Sequence, residues 1–64
     1  MANNIFKPGD VVEFTEFWGG YFVVLRGIVQ EATSYRLSIQ SSAGLSIGYV
    51  FEWIDPRTVR PFIR

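Results

Sequence analysis

The sequence predicts an all-β domain of five short strands, on three observations. Runs of β-branched and aromatic residues recur between turn residues about every eight to twelve positions. No stretch of ten or more residues carries apolar positions at i, i+3, i+4 and i+7 without Gly or Pro inside it, so long helices are not expected. Finally, 64 residues that are 48% hydrophobic and 17% aromatic suffice for one dense core and no more. Residues 1–64 are therefore expected to form a single domain.

Pro8-Gly9-Asp10 reads as a turn that launches a first strand, about Val11 to Thr15, with Val12 and Phe14 inward. Glu16 to Gly20 reads as a loop that carries Phe17 and Trp18 and ends on the permissive pair Gly19-Gly20. A second strand is expected from about Tyr21 to Gln30, with Gly27 marking a bulge or bend, and Glu31 to Ser34 turning it. Strand three, Tyr35 to Gln40, alternates Tyr35, Leu37 and Ile39 against Arg36, Ser38 and Gln40. After a turn at Ser41 to Gly44, strand four places Leu45, Ile47, Tyr49, Phe51 and Trp53 on one face. Asp55-Pro56-Arg57-Thr58 has the form of a single 3-10 turn. Val59 to Ile63 closes the chain, confined by Pro61 to an edge. Val12, Leu25, Val29, Leu37, Ile39 and Phe51 are expected to share one core.

The order of these elements, from the Pro-Gly-Asp turn into a Val-x-Phe strand to the short last strand after the 3-10 turn, resembles the SH3-like small barrels over nearly the whole chain. Gly27 and Val29, spaced by two in the long second strand, look like the KOW-type variant. The resemblance implies a five-stranded SH3-like barrel with a single 3-10 turn before the last strand. It transfers no one function, because such barrels bind proline-rich peptides, sit on RNA or transcription complexes, serve photosynthetic electron-transfer complexes, or form small oligomeric dihydrofolate reductases. The reductase group's Val-Gln-Ile-Tyr segment appears here as Ser46-Ile47-Gly48-Tyr49, without the ligand-binding amide. Gly27 to Gln30 matches the Gly-x-Val-Gln step of the photosynthetic accessory subunits.

Composition narrows the chemistry further. With no Cys and no His, disulfides, thiolate zinc and histidine catalysis are excluded. The carboxylates Asp10, Glu13, Glu16, Glu31, Glu52 and Asp55 fall into no metal-ligand spacing and are read as solvated. No catalytic residue, metal or cofactor is expected. The longest apolar run, Tyr21 to Leu25, is far short of the roughly 20 residues of a membrane helix, and a cytoplasmic address is the default. Net charge is zero, which disfavours nucleic acid as a partner. Charge is nevertheless segregated: residues 1–32 carry two basic and four acidic side chains, net −2, and residues 33–64 four basic and two acidic, net +2. Arg57, Arg60 and Arg64 form a candidate anion or nucleic-acid contact, with Arg suited to planar bidentate pairing.

The sharpest inference concerns faces. In strand two, Tyr21, Val23, Leu25 and Val29 lie on one side and Phe22, Val24 and Ile28 on the other, so both sides are apolar. A small barrel has one interior, and the outer face then requires a cover. Phe17, Trp18, Phe22, Val24 and Ile28 are the candidate partner-binding residues, with Tyr21, Tyr35, Tyr49 and Trp53 available to complete an aromatic shelf. Phe14, Phe51 and Trp53, in alternating strand positions, are assigned to the core. The expected function is a non-enzymatic protein-interaction module, self-associating or an accessory subunit of a larger complex. The alternative is a KOW-type RNA-binding module, with a small oligomeric enzyme third.

Overall fold

The computed structural model describes residues 5–62. The chain is all-β: β1 (Val11–Trp18), β2 (Tyr21–Ala32), β3 (Leu37–Ser41), β4 (Val50–Ile54) and β5 (Val59–Pro61). One antiparallel sheet takes the order β4-β3-β2-β1-β5. No ladder joins β4 to β5, so the sheet is not closed into a barrel. The 3-10 turn expected before the last strand spans Pro56–Thr58. A second, unexpected 3-10 turn spans Gly44–Ser46.

The entry turn is tied down at both ends. Asp10 N–H donates to the Lys7 carbonyl at 3.1 Å, and the Asp10 carboxylate accepts from Lys7 N–H at 3.0 Å. Gly9 N–H reaches the Val29 carbonyl and Val29 N–H the Asp10 carbonyl, each at 2.9 Å. β1 is thereby delivered in register, with Val12 and Phe14 buried.

β1 does not stop at Thr15. It runs to Trp18, because Gly19 and Gly20, at φ 63° and 89°, make a two-residue hairpin turn whose twist matches that of the flanking strands. The register from Val11↔Ile28 to Trp18↔Tyr21 is unbroken. Phe17 and Trp18 are therefore strand residues with fixed faces, not loop residues.

The core consists of Phe6, Val12, Phe14, Val29, Leu37, Ile39, Ile54 and Val59, with Leu25, Ala32 and Phe51 packed against it. Four of the six residues assigned to the core from sequence are buried, and Leu25 and Phe51 are half-buried. Phe6, Ile54 and Val59 complete it. Trp53 does not belong: it is 69% exposed. In the β3–β4 ladder Leu37 pairs with Ile54 and Ile39 with Phe51, so Glu52 and Trp53 together face the single residue Ser38. This bulge reverses the alternation of β4, turning Ile54 inward and Trp53 outward, with Trp53 at φ 66°.

Gly27 is not the site of a bulge either. The β2–β3 register shifts between Val29 and Glu31, leaving Gln30 as the extra residue. Gly27 instead marks a close approach between strands, where β2 pairs with Val12 of β1 and Ser41 of β3.

Two expected strand segments are turns. Tyr35 lies in a turn in which the Thr33 hydroxyl accepts from Arg36 N–H at 3.1 Å; it is exposed, and β3 starts only at Leu37. Leu45 and Ile47 lie in a serine-braced connection. Ser41 N–H donates to the Tyr49 carbonyl and Gly48 N–H to the Ser41 carbonyl, each at 2.8 Å. The buried hydroxyls of Ser41 and Ser46 share a 2.7 Å hydrogen bond beneath them. Leu45 and Ile47 are consequently exposed. β5 is a three-residue edge strand ending at Pro61, paired with Val12, Glu13 and Phe14. Ile63 and Arg64 lie outside the described residues.

Candidate interaction surface

The β1–β2 ribbon outruns its neighbours. β5 pairs only with Val12 to Phe14, and β3 pairs with β2 only from Gly27 onward. From Thr15 to Leu25 the two strands therefore have ladder partners only in each other. A lone two-stranded ribbon is marginal in water, and this one is apolar on both faces.

On its outer face Phe17 and Phe22 meet edge to face, with ring centroids 5.0 Å apart at 67°. Next to them Val24 pairs with Thr15. Phe17, Phe22 and Val24 are 64%, 76% and 61% exposed, a contiguous patch that nothing among the described residues covers. Ile28 is not continuous with it. Arg26 lies between them on the same face, its guanidinium 4.1 Å from the centroid of the Phe62 ring. Beyond that cation, Ile28 joins Val11 and Phe62 around a separate shallow recess.

Trp18 points to the opposite face from Phe17. Its ring lies 6.0 Å from Tyr49 and 5.9 Å from Phe51, and Phe51 stacks edge-on to buried Phe14 at 5.4 Å. An aromatic shelf thus exists, composed of Trp18, Tyr49 and Phe51. Phe17 is on the other side of the sheet. Tyr35 lines a distant recess of about 500 Å³ with Ile5, Phe6, Pro56 and Val59. Trp53 lies under the Arg36 guanidinium, 4.2 Å from its ring centroid. Alternation separates Phe17 from Trp18 once β1 extends past Thr15, an extension that depends on its register with β2; the membership of Phe51 likewise required the fold.

Arg57 and Arg60 are already paired with carboxylates. Arg57 forms a forked pair with Asp55, its terminal nitrogen 2.8 Å from Oδ2 and its Nε 3.2 Å from each oxygen. The Arg57 side-chain hydrogen bonds, and then its backbone N–H at 2.9 Å, hold the Asp55 carboxyl below its ordinary value. Asp55 in turn raises the Arg57 guanidinium. Arg60 pairs with Glu13 at 3.1 Å. Two of the three cations proposed as an anion contact are thus paired with carboxylates, and the third, Arg64, lies outside the described residues. Among the described residues no cluster of His, Cys, Asp and Glu is placed to hold a metal, and no helix is long and apolar enough to cross a membrane.

No protein-family model, curated protein or solved structure matches this chain.

Proposed function

We propose that this domain is a non-enzymatic protein-interaction module whose partner surface is the outer face of the β1–β2 ribbon. The observation that carries this reading is the patch of Phe17, Phe22 and Val24, each more than 60% exposed on a projecting ribbon. Soluble monomers seldom leave contiguous apolar patches of several hundred Å² open to water, and a chain of zero net charge has little self-repulsion to keep copies apart. The strand order and the 3-10 turn before β5 support an SH3-like assignment at the level of architecture, which selects no function by itself. The pairing of Arg57 and Arg60 with carboxylates speaks against the RNA-binding alternative, since phosphate binding then has to compete with ion pairs already formed.

Sedimentation across concentration tests this reading. Wild type should associate with itself or with a partner, and Val24→Lys, which places a charge in the patch without touching the core, should shift any oligomer toward monomer while the β-sheet circular dichroism is retained. A wild-type monomer at high micromolar concentration would remove self-association and leave a heterologous partner. Tight RNA binding that persists at 200 mM salt, about the point where weak electrostatic binding has collapsed, would overturn the module reading.

A further inference from the structure

The β2 strand has a bare edge where it extends past β3. The β2–β3 ladder ends at Gly27↔Ser41, and the main-chain bond next to that end is from Ser42 N–H to the Arg26 carbonyl, at 2.9 Å. Main-chain groups of successive strand residues point alternately to the two sides. Val24 and Phe22, two and four residues before Arg26, therefore present their N–H and C=O on the same side as Arg26. Tyr21, Val23 and Leu25 direct theirs to β1. Among the described residues no strand or loop supplies a main-chain partner to Phe22 or Val24 on that side.

Proteins blunt such edges with charges, Pro, bulges or short length. β5 has Pro61 and three residues, and β4 is kinked at Trp53 by its positive φ. The opposite side of the ribbon carries Glu16 at the centre of the Thr15–Phe17 stretch, so a twofold pairing there sets Glu16 against itself. Tyr21-Phe22-Val23-Val24-Leu25 has none of these devices: no charge, no Pro, no Gly and an unbroken register with β1. The Gly44–Ser46 turn borders its Val23–Leu25 end across an open recess and makes no main-chain hydrogen bond to Phe22 or Val24.

We propose that two copies of this chain join by antiparallel pairing of their Tyr21–Leu25 edges about a twofold axis at Val23. This rests on the interaction-module reading, names the partner as a second copy, and moves the first contact from the face of the ribbon to its edge, so that the outer patches of the two copies become one continuous face. The register follows from the outward groups. Only with Phe22 opposite Val24 of the second copy do both outward residues of each copy find outward partners, giving four main-chain hydrogen bonds. A shift one way sets Val24 against Gly20, and a shift the other way brings in Arg26, whose carbonyl already accepts from Ser42.

The side chains agree with this register. Phe22 lies beside Val24 of the other copy, a favourable aromatic–β-branched pair. Val23 faces Val23, Tyr21 faces Leu25, and Arg26 faces Gly20, so no charge opposes a like charge. Tyr21 and Phe22 are about three-quarters exposed and Val24 somewhat less. At about 200 Å² per aromatic side chain these offer on the order of 400 Å² per copy. Even complete burial of these side chains in both copies, with the edge backbone counted, would only reach the roughly 1,000 Å² at which specific association begins, so the main-chain hydrogen bonds carry the contact and the dimer is a weak one.

The absence of Cys from the chain makes single-cysteine cross-linking a clean test. In the proposed register the two Val23 residues form a non-hydrogen-bonded pair with Cα atoms about 4.5 Å apart, inside the disulfide range of about 4.4–6.8 Å. The two Val24 residues are offset by two positions, about 8 Å, which is too far to bridge. Under mild oxidation Val23→Cys should accumulate covalent dimer at least about tenfold faster than Val24→Cys, with β-sheet circular dichroism retained in both. Faster cross-linking of Val24→Cys would mean that the outer faces stack, overturning edge pairing while keeping the interaction module. A wild-type chain that stays monomeric, with neither variant cross-linking, would overturn the dimer and leave the module to a heterologous partner. If Val23→Cys fails to fold, amide exchange on wild type decides. Protection of the Phe22 and Val24 amides should rise with protein concentration while that of Thr15 and Phe17 does not, and unchanged protection at Phe22 and Val24 overturns the proposal.

Discussion

Gly27 and Gln40 approach so closely across β2 and β3 that a Cβ on Gly27 would lie 2.6 Å from the Gln40 carbonyl oxygen, and equally 2.6 Å from Cγ2 of Ile39. The first of these neighbours is backbone paired with Ile28 on one side and Val50 on the other and cannot rotate away, while the second is a fully buried side chain. Gly27→Ala should therefore destabilise at the upper end of overpacking, about 3 kcal/mol. Urea unfolding measures this, and a change below about 0.5 kcal/mol, the scale of a neutral surface substitution, would mean that β2 and β3 can separate at little cost.

Ile39 in β3 and Arg36, in the turn that precedes it, should respond very differently. Ile39 is fully buried between Val29 and Phe51, and Ile39→Ala should cost about 2–5 kcal/mol, a large share of the stability of so small a domain. Arg36 is not the silent surface residue that its alternation suggests, because its guanidinium packs on Trp53. Arg36→Ala should cost about 0.5–1 kcal/mol. Thermal melts that reverse this ranking would place the β3 register one residue out.

Trp53 offers a test of the β4 bulge. At φ 66° any side chain with a Cβ is disfavoured, by roughly 1 kcal/mol. Trp53→Gly should accordingly be more stable than Trp53→Ala by about that amount, although both lose the stack with Arg36. In an ordinary strand position Ala is preferred to Gly. Finding Ala the more stable of the two would remove the bulge, and with it the reason that Ile54 rather than Trp53 enters the core.

The Asp55–Arg57 pair sets a pH dependence. Because the folded state holds the Asp55 carboxyl below its ordinary 3.8, the unfolded chain binds the proton more readily. The pair's contribution is then complete above that value and disappears as pH falls below it through the folded pKa. Asp55→Asn keeps a residue able to cap the Pro56–Thr58 turn but lacks the charge. Its melting temperature should lie below that of wild type at pH 6 and converge with it in strong acid. A gap that stays constant with pH would assign the effect to the cap alone.

Strand two illustrates how far local pattern reaches. The split of Val23, Leu25 and Val29 from Phe22, Val24 and Ile28 is legible in the sequence because the alternation of a strand is geometric and survives whatever it packs against. The same logic located Val12 and Phe14, and Leu37 and Ile39, whereas the one-turn helix after Asp55, whose side chain accepts from Arg57 N–H, is legible in the turn chemistry of an Asp followed by a Pro. The absence of Cys and His settled at the outset which chemistries are closed to the chain.

Tertiary structure decided what depends on pairing between distant segments. Whether Gly19-Gly20 opens a loop or makes a two-residue turn is a matter of whether β1 and β2 stay in register to the tip, and that choice sent Phe17 and Trp18 to opposite faces. One extra residue in β4 exchanged Trp53 for Ile54 in the core, and one extra residue at Gln30 brought Ala32 opposite Leu37; each bulge exists only relative to the strand it opposes. The run from Leu45 to Tyr49 alternates like a strand, but the hydrogen bonds of Ser41 to Gly48, Tyr49 and Ser46 fold it into a turn. The bare edge at Phe22 and Val24 arises because β3 stops pairing at Gly27. Sequence period assigns a residue to one of two faces, whereas the length and offset of neighbouring strands determine which edges and faces remain open.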